Sequence, residues 1–220
     1  MGAPASLPAR AAGLARPAAA RLPLPGAGAR RRARAVVTAA RALLDEGHVV
    51  GSVGNVSARV GRELRITPTR AAYERMRPRD LVRVDLATGA VRGAGVPSRE
   101  LPLHLALYRA RPDVGAVVHT HSVAATAWSF LGEALAPELE DLGYYDVGAV
   151  ATAPAAPAGS AELARGAVAA LGGGGAVLLG GHGVLTVGRT PEDAVVVARV
   201  VERQARVAWL LRGADPRLVG

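Results

Sequence analysis

From position 31 to 46 apolar residues recur at helical spacing, through Ala33, Val36, Val37, Leu43 and Leu44, and the run stops at Gly47. A glycine there suits the left-handed turn that ends a helix. Two short β-type runs follow, Val56–Val60 and Glu63–Ile66, with Gly61-Arg62 between them as a hairpin turn. Leu81–Asp85 reads as another strand ending near Thr88-Gly89, and Pro102 opens a helix to about Arg109. Ala116–His121 is apolar and β-branched, hence a strand, and Ser122–Leu131 has helical character. Val147–Thr152 reads as a strand and Ser160–Leu171 as a helix. Ala176–Leu179 and Val184–Val187 form two strands around Gly180-Gly181-His182-Gly183. Thr190 as N-cap and Pro191 at the first helical position begin a long helix to about Arg212. The alternation of the two periodicities predicts an α/β fold, and no repeat is visible.

Two segments could mislead. Gly166–Gly188 carries no formal charge over 23 residues, but nine of these are glycine, which is loop and buried-strand chemistry rather than a bilayer helix. Residues 1–30 are Ala, Pro, Arg, Gly and Leu without period and are expected to be a disordered extension. Prolines at 4, 8, 17, 23 and 25 break any amphipathic transit helix, and no secretory apolar region is present. Residues 31–220 are then a single domain, expected to be cytoplasmic and away from membranes.

Composition removes several chemistries. All 27 basic residues are arginine and there is no cysteine. A Schiff-base mechanism needs a lysine amine, so carbonyl chemistry here requires a metal, a hydrogen-bond pocket or a bound cofactor. The net charge of +9 suggests nucleic acid, yet seven arginines and no acid fall in residues 1–34, leaving 20 Arg against 18 acids beyond. The body is close to neutral, and no nucleic-acid partner is expected of it.

Of the five histidines, His119 and His121 stand two apart on a strand, so both rings point to one face and can share a cation. Two buried histidines satisfied by backbone would give the same spacing. His182, between glycines, can be presented by a sharp turn and would complete a three-imidazole set with one position left open, as in catalytic zinc sites. Glu100, just before the Pro102 helix, is either a helix N-terminal acid favoured by the macrodipole or a general acid/base near the metal. His104 reads as a packed core histidine. Gly51-Ser52-Val53-Gly54-Asn55 precedes a strand rather than a helix, which excludes dinucleotide and P-loop patterns but allows an anion nest.

Taken in order, Gly54-Asn55-Val56-Ser57-Ala58-Arg59, Ile66-Thr67-Pro68-Thr69, Pro97-Ser98-Arg99-Glu100 with Leu103-His104, Ala116-Val117-Val118-His119-Thr120-His121, and Gly181-His182-Gly183-Val184 resemble the class II aldolase/adducin family over residues 31–212. The resemblance implies a three-layer α/β fold, with a central mixed, largely antiparallel sheet flanked by helices. It implies Zn2+ on His119, His121 and His182, and Glu100 as acid and base. Asn55, Thr69 and Ser98 would hold a substrate phosphate. Arg70 and Arg99 stand where the aldolase branch has a glycine and a serine, and could bind the same anion bidentately. The implied activity is retro-aldol cleavage of a ketose 1-phosphate or similar sugar through a metal-stabilised enediolate, in a homotetramer with active sites at subunit contacts. The family's dehydratases and decarboxylases share the platform. Two readings of other classes compete: a non-catalytic adducin-like assembly domain, and polyanion binding through Arg30–Arg34.

Overall fold

The computed structural model describes residues 26–145 and 147–213. The extension expected over residues 1–30 lies outside these as far as residue 25, while Ala27 already begins the first helix. In chain order the elements are α1 (Ala27–Asp45), β1 (Asn55–Val60), β2 (Glu63–Ile66), β3 (Val82–Asp85), β4 (Val91–Arg92), α2 (Leu101–Ala110), β5 (Ala116–Thr120), α3 (Val123–Ser129), α4 (Glu140–Tyr144), β6 (Thr152–Ala153), α5 (Ala161–Leu171), β7 (Ala176–Leu179), β8 (Gly183–Gly188) and α6 (Pro191–Gly213). A 3-10 turn at Pro78–Asp80 leads into β3.

The strands form one open sheet in the order β4-β3-β2-β1-β5-β8-β7-β6, antiparallel throughout except for β6 beside β7. Alternation along the strands sends Leu64, Ile66, Val117, Val177, Leu179 and Leu185 to one face, where they pack under α2 and α5. The other face carries Val56, Ala58, Ala116 and Val118 against α1 and the start of α6, and continues as a third apolar cluster beneath α3. Helices on both faces of a mixed sheet give the three layers expected.

Several elements differ from the reading of the sequence, which did not anticipate β4, α4 or the 3-10 turn. The stretch 147–152 is not one strand: Val150 makes only an isolated bridge to Leu135, and pairing with β7 starts at Thr152. Leu142 anchors the short α4 from the core, a contact that the polar run around it did not announce. Glu202 on α6 supplies the second surprise. Its buried carboxylate accepts the amides of Ala124 and Ala125 at 3.1 and 2.9 Å, capping α3 from another helix, while Ser122 at the N-cap position provides no side-chain cap. Two amides left open at a helix start are thereby satisfied by an acid distant in sequence.

Candidate metal centre

β5 and β8 run side by side with Thr120 opposite Val184 and His119 opposite Leu185. The turn joining β7 to β8 therefore folds over the end of β5. Gly181 takes φ +63, the left-handed region, and the His182 amide closes the turn onto Leu179 O at 2.9 Å. Gly183 is where the strands crowd: a Cβ there would stand 2.5 Å from Thr120 O, 3.1 Å from His121 Cδ2 and 3.3 Å from His119 Cε1. Only glycine allows the turn to bring its ring this close.

The outcome is three imidazoles in one cluster. Ring centroids are 4.8 Å apart for His119–His121 and His119–His182, and 5.0 Å for His121–His182. One ring nitrogen from each lies within 4.8 Å of the others. His119 Nδ1 donates to the Val184 carbonyl at 3.0 Å, which leaves its Nε2 as a lone pair; that atom faces His121 Nε2 at 3.0 Å. Nitrogens on a tetrahedral zinc stand about 3.3 Å apart for Zn–N bonds of about 2.05 Å. His182 Nδ1 is buried with no hydrogen-bond partner among the described residues. Such an orphan suits a group that the chain itself does not supply.

Charge state agrees with geometry. Burial, reinforced by the neighbouring rings, holds His119 well below the usual imidazole range, and burial pushes His121 down to about 4. His182 is lowered by burial and then by the Arg99 guanidinium. Neutral imidazoles are the form that ligates a metal. The residues present fit a divalent cation.

Glu100 is buried at the N-terminus of α2, and its Oε2 accepts the Gly159 amide at 3.1 Å. Burial raises its carboxyl above the ordinary range; the Gly159 hydrogen bond and Arg99 act the other way. Glu100 is not among the clustered ligands, and a raised carboxyl pKa is what proton transfer near neutral pH requires.

The family model described as the class II aldolase and adducin N-terminal domain matches residues 34–209. The chain belongs to this family. It is 36% identical to the 5-methylthioribulose-1-phosphate/5-deoxyribulose-1-phosphate aldolase of Rhodospirillum rubrum, over 84% of this chain and 83% of that protein. It is 34% identical to an L-fuculose phosphate aldolase of Methanococcus vannielii (79% and 93% covered). It is 37% identical to an L-ribulose-5-phosphate 4-epimerase of Salmonella paratyphi B (78% and 81%). Among solved structures, an L-fuculose 1-phosphate aldolase superposes with a TM-score of 0.80 at 28% identity, covering 84% of this chain and 89% of the other.

The remaining sequence-predicted residues of this class II aldolase-family chain lie on β1, on two loops and at the start of α2. Asn55 pairs with His119 across the β1–β5 ladder. Its side-chain oxygen takes a short hydrogen bond from His104 Nε2, while His104 Nδ1 accepts from Ser57 Oγ at 2.7 Å and Ser57 meets the Tyr108 hydroxyl at 2.9 Å. Since Nε2 carries the imidazole proton, Ser57 donates to Nδ1 and accepts from Tyr108. His104 is thus a buried residue, as read, but also the group that turns the Asn55 amide so that its NH2 is the free end. The period-two spacing Asn55-x-Ser57 and the helical spacing His104…Tyr108 were the available signals.

Thr69 and Ser98 lie on two loops zipped together by Thr69 N to Val96 O at 3.0 Å and by a Pro68–Pro97 bridge. Ser98 Oγ also accepts the Glu100 amide at 3.3 Å. Arg99 packs on Gly159 and acts electrostatically on both Glu100 and His182. Arg70 instead lines a groove with Gly51, Ser52 and Arg75, and is the one non-glycine with positive φ among the described residues, at +54. The structure therefore brings Arg99 to the centre and Arg70 to the glycine loop.

Proposed function

We propose that this chain is a Zn2+-dependent carbon–carbon lyase that cleaves a ketose 1-phosphate by retro-aldol chemistry. The observation that carries the reading is the convergence of three imidazoles that burial keeps neutral, one with an orphaned nitrogen, together with a buried glutamate of raised pKa that shares the Arg99 guanidinium with His182. A bound zinc would supply Lewis-acid polarisation of a substrate carbonyl. His119, His121 and His182 hold that cation. Glu100 takes and returns the proton at its carboxylate, and the Gly159 amide on Oε2 fixes which oxygen is open to do so.

Asn55 NH2, Thr69, Ser98, Arg70 and Arg99 bind and orient the phosphate, with Arg99 supplying charge nearest the cation. Relatives named for a methylthioribulose 1-phosphate, a fuculose phosphate and a ribulose 5-phosphate support a sugar-phosphate substrate. His121 and His182 are half-buried, so a cation held by them would be reachable by a substrate or a second subunit. Assembly as a homotetramer and a cytoplasmic location complete the proposal; among the described residues no helix is long and apolar enough to cross a membrane.

The Glu100→Gln variant tests the assignment. It is expected to retain one zinc per chain by metal analysis while release of dihydroxyacetone phosphate from ketose 1-phosphates falls by about 100-fold or more. Full turnover in that variant refutes the role given to Glu100, whereas a wild type without stoichiometric metal refutes the whole reading and favours the assembly-domain alternative.

A further inference from the structure

The face of the sheet opposite the imidazoles holds a second cluster that neither the cation site nor Glu100 uses. Leu64 and Ile66 of β2 point under α2 and α5, so Arg65 between them points the other way. There a groove of about 660 Å3 is lined by Arg30 and Arg34 from α1, Arg65 from β2, and Arg77 and Arg79 from the 3-10 turn region. Five arginines line one cavity, and among the described residues no acid lines it. The acid at the rim, Asp80, accepts the Arg77 amide at 2.7 Å and stands 3.9 Å from Arg79 Nε. Among the described residues, Arg65 Nε is buried and has no hydrogen-bond partner.

The groove is held in shape before any ligand arrives. Arg30 and Arg34 are one helical turn apart on the same flank of α1. Further along that helix, Arg41 donates to the carbonyls of Tyr73 and Met76 at 3.2 and 2.7 Å, fastening to α1 the segment that leads into Arg77 and Arg79. α1 starts at the same spot with no side-chain cap and no acid in its first turn, so its open amides add to the positive field. Arginine keeps its charge across the physiological range, and like charges gathered in one groove repel one another. A multivalent anion relieves that repulsion, and the planar fork of arginine matches phosphate oxygens.

We propose that this groove binds a compact polyphosphate, two or three linked phosphoryl groups as in tripolyphosphate or a nucleoside triphosphate, at a site separate from the imidazole centre. The basic surface does not continue as a track for a long polyanion. On the adjoining strands Arg83 is paired with Glu63 at 2.8 Å and Arg92 with Asp85 at 3.2 Å. Arg65 lies two strands from β5 and on the opposite face from His119, so the ligand cannot be the sugar phosphate held at the cation.

Calorimetric titration of the metal-loaded full chain with tripolyphosphate, with ATP and with a short DNA duplex tests this. Tripolyphosphate and ATP are expected to bind one per chain and to weaken as salt is raised. The exposed pair Arg34→Ser and Arg77→Ser, combined, is expected to weaken both by about tenfold or more, with metal content and thermal unfolding unchanged. Arg99→Ser is expected to leave this binding intact, which separates it from the sugar-phosphate pocket. Tighter binding of ATP than of tripolyphosphate assigns part of the groove to a nucleoside, and equal binding assigns it to the phosphates alone. Unchanged binding in the double variant, loss in Arg99→Ser, or tighter binding of the duplex than of tripolyphosphate overturns the proposal.

Discussion

Replacing His104 by glutamine exchanges a buried group that can be charged for one that cannot, while keeping one donor and one acceptor for Asn55 and Ser57. Burial holds the His104 imidazole down to about 3, against an ordinary value of 6.5. Its folded pKa lies below its unfolded pKa, so between those values the unfolded chain binds the proton and the folded chain does not. Stability due to neutral His104 is therefore fully present above about pH 6.5 and is lost as pH falls toward 3. The loss runs at up to about 1.4 kcal/mol per pH unit, or about 2 to 3 kcal/mol between about pH 6.5 and about pH 4.5. At pH 7.5 the glutamine costs roughly 1–3 kcal/mol for imperfect hydrogen bonds in a site shaped for a ring. On acidification that deficit should shrink and then reverse, because only the wild type carries the buried imidazole at 104. Urea unfolding of the metal-free wild type and variant at a series of pH values measures the difference directly. A stability gap that stays constant from about pH 7.5 to about pH 4.5 refutes the argument that His104 is neutral through burial.

Other substitutions probe the frame of the site. Gly183→Ala places a Cβ 2.5 Å from Thr120 O and against both strand imidazoles, so it should cost about 1–3 kcal/mol and weaken zinc binding by about tenfold or more in a chelator competition. Glu202→Gln turns an NH2 toward a helix amide in a buried position, and thermal unfolding should show a loss of about 2–4 kcal/mol with metal affinity little changed. Arg70→Gly removes a side chain from a left-handed backbone at φ +54; stability should rise by up to about 1 kcal/mol while KM for the sugar phosphate rises and kcat holds. A fall in kcat at unchanged KM would place Arg70 in the chemistry rather than in anion binding.

Much of this arrangement was legible because it is local. Strand alternation alone puts His119 and His121 on one face, and the glycines around His182 announce a turn. Boundaries of α5, β2 and β7 follow from N-cap chemistry and β-branched runs, and the structure reproduces them within a residue. What the sequence hid is long-range. Nothing near Glu202 says that it caps α3, because its partners are 77 and 78 residues away. Ser57, His104 and Tyr108 form one relay only after β1 and α2 have packed. The arginine groove escaped because Arg30 and Arg34 of α1 meet Arg65 of β2 and Arg77 and Arg79 only once helix, strand and 3-10 turn have packed, so charge counted along the chain never shows them together.

The cation site combines two requirements that oppose one another. Ligand imidazoles must stay neutral, which burial secures, yet a buried nitrogen without a partner costs the folded chain about 1–3 kcal/mol. The fold meets this unevenly. His119, on β5, is compensated by the Val184 carbonyl, whereas His182, on the turn, keeps an orphan. A cation therefore stabilises the turn more than the strand. Metal removal should loosen the β7–β8 turn while leaving β5 and its ladder to β1 intact, because those hydrogen bonds are backbone pairs that owe nothing to the metal. Hydrogen exchange at Gly181 and His182 would then rise on chelation with Val117 and Val118 unmoved, and equal exposure of both segments would mean that the cation holds the sheet itself together.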